Sequence, residues 1–144
     1  MRPYIHKVQY YETDQMGIVH HSNYIRWFEE ARIDMLEQIN VPYEEMEEKG
    51  IISPVLNVEA DYLRMVRFGE KVAVIATVQE YNGIKLAVSY KIISDKTKMV
   101  HCKGVTRHCF LNAKGRPVYL KKECPELHEK FCKAFEESKA KKTK

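Results

Sequence analysis

Residues near the start of the sequence have the chemistry to act together on an activated carbonyl group. Asp14 is a lone carboxylate, and Gly17 follows it in a predicted turn, where a glycine lets the backbone come close to a ligand. Ser22 precedes a predicted helix, where its hydroxyl can cap the first turn. A helix N-terminus has unpaired amide donors and a partial positive charge. A carboxylate beside such an end is suited to attack on an ester-like bond.

The turn must be positioned by the helix that follows it. Apolar residues recur there at intervals of three and four, at Tyr24, Phe28, Ala31, Met35 and Ile39. We predict a helix over residues 22–40 that ends before Pro42. The helix also contains the apolar residues Ile25, Trp27, Ile33 and Leu36. Its apolar residues therefore lie on more than one face, which predicts that the helix is buried on most sides.

The remaining elements are mostly strands. Residues 4–12 are predicted as a first strand, and from residue 51 the apolar period changes to two. Further strands are predicted over residues 52–63, 72–78, 86–92 and 99–111. Asn82-Gly83 is a hairpin signal between the middle two of these. A short acidic helix over residues 43–49 is stopped by Gly50, and a final helix begins at Pro125.

These elements predict an α+β fold, with an antiparallel sheet of about five strands around a long central helix and a C-terminal helix. All 144 residues fit one domain, with a basic, frayed tail from about residue 137. One helix covers one face of a sheet and leaves its edges free. We therefore expect at least a dimer.

Composition excludes several other classes of protein. The formal charge of +4 is matched by four lysines in the tail, which argues against a folded nucleic-acid-binding face. Mean hydropathy is −0.48, and no apolar run approaches the roughly 20 residues of a membrane span. The N-terminus lacks the pattern of a signal peptide, so a cytoplasmic location is expected.

The four cysteines do not have the spacing of a metal site, because no Cys-x-x-Cys is present. Cys102 and Cys109 would point to opposite faces of a shared strand. We expect free thiols and no bound metal. No Gly-x-Ser-x-Gly and no phosphate-binding glycine loop occurs either.

The order of elements and one motif resemble the hotdog-fold thioesterases. Within them, the chain is most similar to the 4-hydroxybenzoyl-CoA thioesterase family and its YbgC-like acyl-CoA hydrolase branch. The motif is Tyr11-x-Thr13-Asp14-x-x-Gly17-Ile18-Val19-x-His21-x-x-Tyr24-x-x-Trp27-Phe28-Glu29-x-Ala31-Arg32. The strand pattern extends the resemblance to about residue 120.

The resemblance implies an acyl-CoA hydrolase. Asp14 matches the family's essential carboxylate, which acts as a general base on water or as a nucleophile on the thioester carbonyl. Gly17 matches the glycine that opens the loop, and His21 lies where the family's helix end offers its main-chain N–H. A coenzyme A thioester is implied as substrate, with no further cofactor. Family members form dimers or dimers paired into tetramers, so a homotetramer is expected.

Candidate substrate contacts also have structural explanations. Tyr24 fits the core as well as a substrate pocket. Glu29 is predicted to line the acyl pocket, but it stands three residues before Arg32, as in a helix-surface ion pair. Arg64 and Arg67 are predicted to meet coenzyme A phosphates, although a solvated strand end would explain them too.

Two other functions remain open at this stage. An acyl-carrier-protein thioesterase would run the same reaction on an acidic protein partner, which would dock on Arg and Lys near the pocket mouth. A hotdog module without hydrolytic activity would only bind acyl groups or a protein. We expect thiol release from acyl-CoAs to distinguish the last of these from the two enzymes.

Overall fold

The computed structural model describes residues 2–142, and side chains up to residue 140. One five-stranded antiparallel sheet and four α-helices make up this part of the chain. In chain order the elements are β1 Tyr4–Lys7, a 3-10 turn Tyr10–Glu12, α1 Ser22–Gln38, α2 Tyr43–Glu48, β2 Val55–Tyr62, β3 Lys71–Tyr81, β4 Lys85–Ser94, β5 Val100–Cys109, α3 Leu120–Glu123 and α4 Pro125–Lys142. The predicted α+β class is confirmed. None of the described helices is long and apolar enough to cross a bilayer.

The strands lie in the order β1-β3-β4-β5-β2, so β1 and β2 form the two edges. The hairpin predicted at Asn82-Gly83 joins β3 to β4. Asn82 Oδ1 accepts hydrogen bonds from the main-chain N–H of Ile84 and Lys85, and Gly83 has a φ of +89°. The side-chain amide thus closes a three-residue loop, in which the left-handed position is taken by glycine.

Helix α1 lies very close to the sheet. The Phe28 ring stacks on the Tyr90 ring of β4, with centroids 4.5 Å apart. On neighbouring β5 a Cβ at position 104 would overlap the Phe28 ring, so only glycine leaves space for it. Packing of this helix against bare backbone buries its inner face completely at Trp27 and Phe28.

Helix α4 packs against β3. Leu127, Phe131 and Ala134 form its buried stripe, and Phe131 stacks on Tyr81 at 5.1 Å. The helix continues to Lys142, so it includes most of the predicted tail. Residues 143 and 144 lie outside the described residues, and fraying of the tail stays a prediction.

Several predicted bounds of the first elements were wrong. The first strand ends at Lys7, and Tyr10–Glu12 forms a 3-10 turn because the chain bends to bury the Glu12 side chain. Helix α1 ends at Gln38, since Asn40 adopts a left-handed φ of +63°. Ser22 does not cap this helix. Its Oγ lies 2.9 Å from Nδ1 of His20 instead.

Burial of α1 on most sides was also wrong. Ile25 and Ile33 are 39% and 38% exposed, because no other element of the described chain covers their face. Strand β2 begins at Val55 rather than residue 52, directly after Pro54. The short helix α3 was not predicted. Helix α2 was predicted, as was its end at Gly50, which has a φ of +71°.

The expectation of free thiols is confirmed. All four are free, and Cys102 and Cys109 lie on the same strand with their side chains on opposite faces. Cys102 is buried in the core, and burial raises the pKa of its thiol to about 12. No group of three or more potential metal ligands occurs in the described part of the chain.

A buried chain of hydrogen bonds links α1 to the sheet. Arg32 Nη1 donates to the Tyr90 hydroxyl at 3.4 Å. The same Tyr90 hydroxyl lies 2.7 Å from the Thr106 hydroxyl. Thr106 Oγ1 lies 2.8 Å from His108 Nε2. Burial and the positive charge of Arg32 lower the pKa of His108 to about 4. His108 is therefore neutral in the folded protein at neutral pH.

This histidine predicts a loss of stability in mild acid. Its pKa rises to the ordinary value of 6.5 on unfolding, so the unfolded chain binds more protons between pH 4 and 6.5. The contribution of His108 to the free energy of unfolding is fully present above pH 6.5. It falls by up to about 3 kcal/mol as the pH is lowered to 4. Urea unfolding across this range should show a shallower pH dependence for His108→Gln than for wild type. His20→Gln, a change at an exposed histidine, is the control and should keep the pH dependence of wild type. Equal pH dependence in His108→Gln and wild type would contradict the prediction.

Candidate active site

Asp14 closes its own turn with one carboxylate oxygen. Its Oδ1 accepts hydrogen bonds from the main-chain N–H of Met16 at 2.8 Å and of Ile18 at 3.2 Å. Gly17 lies in the turn with φ +73°, a conformation that favours glycine. The second oxygen, Oδ2, accepts no hydrogen bond from the described residues. Asp14 is thus a turn former that also keeps one oxygen available.

The turn is held from one side by a segment that follows β2. Val19 N–H donates to the Val66 carbonyl at 2.8 Å, and Phe68 N–H donates to the Gly17 carbonyl at 3.0 Å. An isolated bridge pairs Ile18 with Arg67 between these two bonds. This backbone pairing fixes the far side of the turn without using the Asp14 side chain.

The start of α1 leaves one main-chain amide free. The N–H of His20 donates to the Glu12 carbonyl at 2.9 Å, and the N–H of Ser22 donates to His20 Nδ1 at 3.3 Å. Among the described residues nothing accepts the N–H of His21, which lies between these two. The His21 and His20 rings stack with centroids 4.4 Å apart. The unpaired donor predicted at this helix end therefore belongs to His21.

Asp14 and His21 line the same cavity. Its volume is about 440 Å³, and its wall is formed by the Asp14 turn, the start of α1 and the end of β2. The lining residues are Asp14, Ile18, Val19, His20, His21, Tyr24, Tyr62, Leu63, Arg64 and Met65. The sequence had not indicated Tyr62 as a site residue, since only the return of β2 places it there.

Tyr24 has mainly a framework role in this wall. Its side chain is buried, its hydroxyl accepts the N–H of Val66 at 3.3 Å, and its ring meets the Trp27 ring edge-on at 5.3 Å. Burial raises the pKa of this hydroxyl, although the Val66 bond acts to lower it. Tyr24 is therefore a neutral residue that holds the 63–68 segment against α1.

A larger basic cavity adjoins the first one. It has a volume of about 850 Å³ and shares Arg64 and Met65 with the Asp14 cavity. Arg67 and two further cations line it together with two carboxylates and a histidine, namely Lys71, Lys96, Glu70, Asp95 and His101. The two predicted arginines are thus brought together, one of them at the junction.

Glu29 is the predicted site residue that the structure places apart. It is exposed on α1 and lines neither of these two cavities. It forms no ion pair with Arg32, which instead reaches Tyr90. Its contact with substrate stays a prediction.

Residues 8–135 match the family model of the thioesterase-like superfamily. The chain belongs to this superfamily. The match spans both cavities and strands β2 to β5, so the hotdog fold and the thioesterase class predicted from the motif are confirmed.

Known members of the superfamily resemble this thioesterase along most of its length. A crystal structure of DHNA-CoA thioesterase from Staphylococcus aureus is 30% identical, with a TM-score of 0.90 over 99% of this chain and 95% of that chain. The Bacillus subtilis protein named "Putative acyl-CoA thioesterase YneP" is 33% identical over 129 residues, which are 89% of this chain and 93% of that protein. Acyl-CoA thioesterase YbgC of Haemophilus influenzae is 27% identical over 118 residues, 81% of this chain and 86% of that protein. Membership of the YbgC-like branch stays a prediction.

Proposed function

We propose that this thioesterase hydrolyses acyl-CoA thioesters with Asp14 and the main-chain N–H of His21. One observation carries the proposal. Asp14, whose carboxylate has a free oxygen, and His21, whose main-chain N–H has no acceptor among the described residues, line the same cavity. The first can supply the base or nucleophile, and the second can stabilise the oxyanion. Both groups are needed for acyl transfer.

The His21 N–H donates to the thioester carbonyl oxygen and stabilises the negative charge that develops on it. Asp14 Oδ2 either takes a proton from the attacking water or attacks the carbonyl carbon itself, after which water releases the acid. In both routes the C–S bond breaks, and the products are a carboxylic acid and the coenzyme A thiol. The amide donor contributes roughly 10²–10³ in rate and a positioned base roughly 10²–10⁴.

The basic cavity supports coenzyme A as the carrier. Arg64 lies at the junction of the two cavities, and Arg67, Lys71 and Lys96 lie beyond it. A nucleotide bound there would have its phosphates among guanidinium groups, which suit phosphate oxygens. The acidic surface of an acyl carrier protein would meet the same cations, so such a protein is the second candidate carrier. For the acyl group, the DHNA-CoA name of the Staphylococcus aureus relative makes a naphthoyl thioester the first candidate.

The exposed edge of the sheet supports a dimer. Strand β2 pairs with β5 on one side only, and its inward residues Leu56, Val58 and Tyr62 are 58%, 36% and 46% exposed. A long apolar edge strand of this kind is normally paired or covered. We propose that a second copy of β2 pairs with it antiparallel, and that the second α1 covers these side chains.

Such pairing would also enlarge the site. Antiparallel strands place the Val55 end of one copy beside the Tyr62 end of the other. A cavity of about 580 Å³, lined by Leu56, Asn57 and His108 among others, lies at the Val55 end. The acyl group of a substrate held at one Asp14 would then extend toward this cavity of the second copy.

Replacement of Asp14 by asparagine tests the catalytic assignment. Asparagine keeps an oxygen that can accept the Met16 and Ile18 N–H, so the turn remains while the charge is lost. We expect thiol release from a panel of acyl-CoAs and naphthoyl-CoA to fall at least about a hundredfold, mainly in kcat. Asp61→Asn, a matched change on the outer face of the sheet, should leave turnover unchanged. Wild-type turnover in Asp14→Asn would reject the assignment, and no release by the wild type would favour a binding module.

The basic cavity predicts a carrier-dependent effect of Arg64. Arg64→Gln should raise KM for acyl-CoA about tenfold and leave kcat within a few-fold, because one charge-assisted hydrogen bond to phosphate is lost. The same variant should behave like wild type on the matching acyl-pantetheine, which has no nucleotide. Equal effects on both substrates would contradict a phosphate contact. A far larger effect with an acyl carrier protein, strongly reduced by salt, would favour that carrier.

The dimer predicts that a charge on the β2 edge abolishes assembly and activity together. Val58→Asp should give a monomer by size-exclusion chromatography with light scattering, and its thioesterase activity should fall with the dimer fraction. Ile75→Asp is a matched control, since Ile75 is 37% exposed on the outer face of the sheet. A tetramer for wild type that becomes a dimer with Ile75→Asp would show dimers paired through that face. A fully active monomer would contradict the shared site.

A further inference from the structure

We infer that Glu12 is a positioning residue that fixes the Asp14 turn relative to the start of α1. The inference rests on the proposed function, in which the Asp14 carboxylate and the His21 amide must hold one carbonyl between them. Glu12 is not among the residues that line the cavity. It acts through the two groups that do.

The Glu12 carboxylate is buried and completely paired. Only 4% of the residue is exposed, and its Oε1 accepts hydrogen bonds from Gln9 N–H at 2.7 Å and pairs with His6 Nε2 at 2.8 Å. Its Oε2 accepts the Trp27 indole N–H at 2.6 Å. Burial acts to raise the pKa of Glu12, but these hydrogen bonds together lower it, so the group is ionised at neutral pH. A buried charge in such a setting is stable only while its donors stay in place.

The main chain of Glu12 makes a second connection to α1. Its carbonyl accepts the N–H of His20 at 2.9 Å and the side-chain amide of Asn23 at 2.9 Å. His20 directly precedes His21, and Glu12 lies two residues before Asp14. One residue therefore sets both halves of the proposed site, through its side chain to Trp27 and through its carbonyl to the helix start.

Trp27 gives this connection a rigid anchor. Its ring is fully buried and packs against the rings of Tyr24 at 5.3 Å and His6 at 4.8 Å. The other bonds of the turn, from Val19 and Gly17, lead to the 63–68 segment instead of to the helix. Without the pairs of the Glu12 carboxylate, the turn would stay on that segment and would be connected to the start of α1 only through the Glu12 carbonyl.

A neutral amide cannot replace the carboxylate. Three donors converge on its two oxygens, and Glu12→Gln would turn an NH₂ group toward at least one of them. The chain must then shift to relieve the conflict, and a misplacement of about 1 Å can cost 10²-fold in rate. Substrate affinity should change little, because Arg64 and Arg67 lie on the segment that keeps its bonds.

The test is steady-state hydrolysis of an acyl-CoA by full-length Glu12→Gln. We expect kcat to fall about 30- to 100-fold with KM within threefold of wild type. Trp27→Phe removes one of the three donors, so its kcat should fall by part of the amount seen in Glu12→Gln. The kcat of the double variant should be no lower than that of Glu12→Gln alone. Leu127→Ala in α4 is the control for lost stability, since it leaves a core cavity away from the site. It should lower the melting temperature and leave kcat unchanged.

A second readout does not depend on turnover. Amide hydrogen exchange over residues 13–21 should be at least about fivefold faster in Glu12→Gln than in wild type, but not in Leu127→Ala. Unchanged exchange there, or a kcat within threefold of wild type while Asp14→Asn is inactive, would overturn the inference. A kcat loss in Leu127→Ala equal to that in Glu12→Gln would overturn it too. No thiol release by any protein would refute the proposed function, and exchange would still decide the role of Glu12.

Discussion

The contact between Phe28 and the backbone of Gly104 sets the depth at which α1 lies on the sheet. The ring occupies the space that any Cβ at position 104 would fill, and it stacks on Tyr90 at the same time. Because the helix is fixed at this point, its first turn lies beside Tyr62 at the end of β2 and beside the 63–68 segment that carries Val66. The cavity around Asp14 exists between them.

Two separate sets of bonds then place the chemistry at that helix end. The pairing of residues 17–19 with the 66–68 segment holds the outer side of the turn. Glu12 holds the inner side: its carboxylate accepts the indole N–H of Trp27, and its carbonyl accepts the main-chain N–H of His20. The turn itself satisfies one oxygen of Asp14 and leaves the other without a hydrogen bond from the described residues. A residue type common in turns can in this way keep a structural and a chemical role together.

The strands and the long helix were predictable because the apolar period changes from about 3.6 to two near residue 51. Asn82 marks the hairpin locally, and Pro125 marks the start of the last helix. The 3-10 turn was not predictable, because burial of Glu12 depends on Trp27, 15 residues away. Ser22 failed as a cap because the neighbouring His20 ring offered its hydroxyl another partner. Ile25 and Ile33 were expected inside because sequence periodicity does not show whether a covering element belongs to the same chain. Asp14, Gly17 and His21 were predicted through the motif; Asp14 and His21 line one cavity, and their catalytic role stays a prediction.

A crystal structure of Asp14→Asn with an intact acyl-CoA bound tests the central claim most directly. The thioester carbonyl oxygen should accept the His21 N–H at about 2.7–3.1 Å, with its carbon facing the side chain of residue 14. The nucleotide phosphates should lie beside Arg64. A thioester bound with its carbonyl away from His21, or outside the cavity that Asp14 lines, would contradict the account.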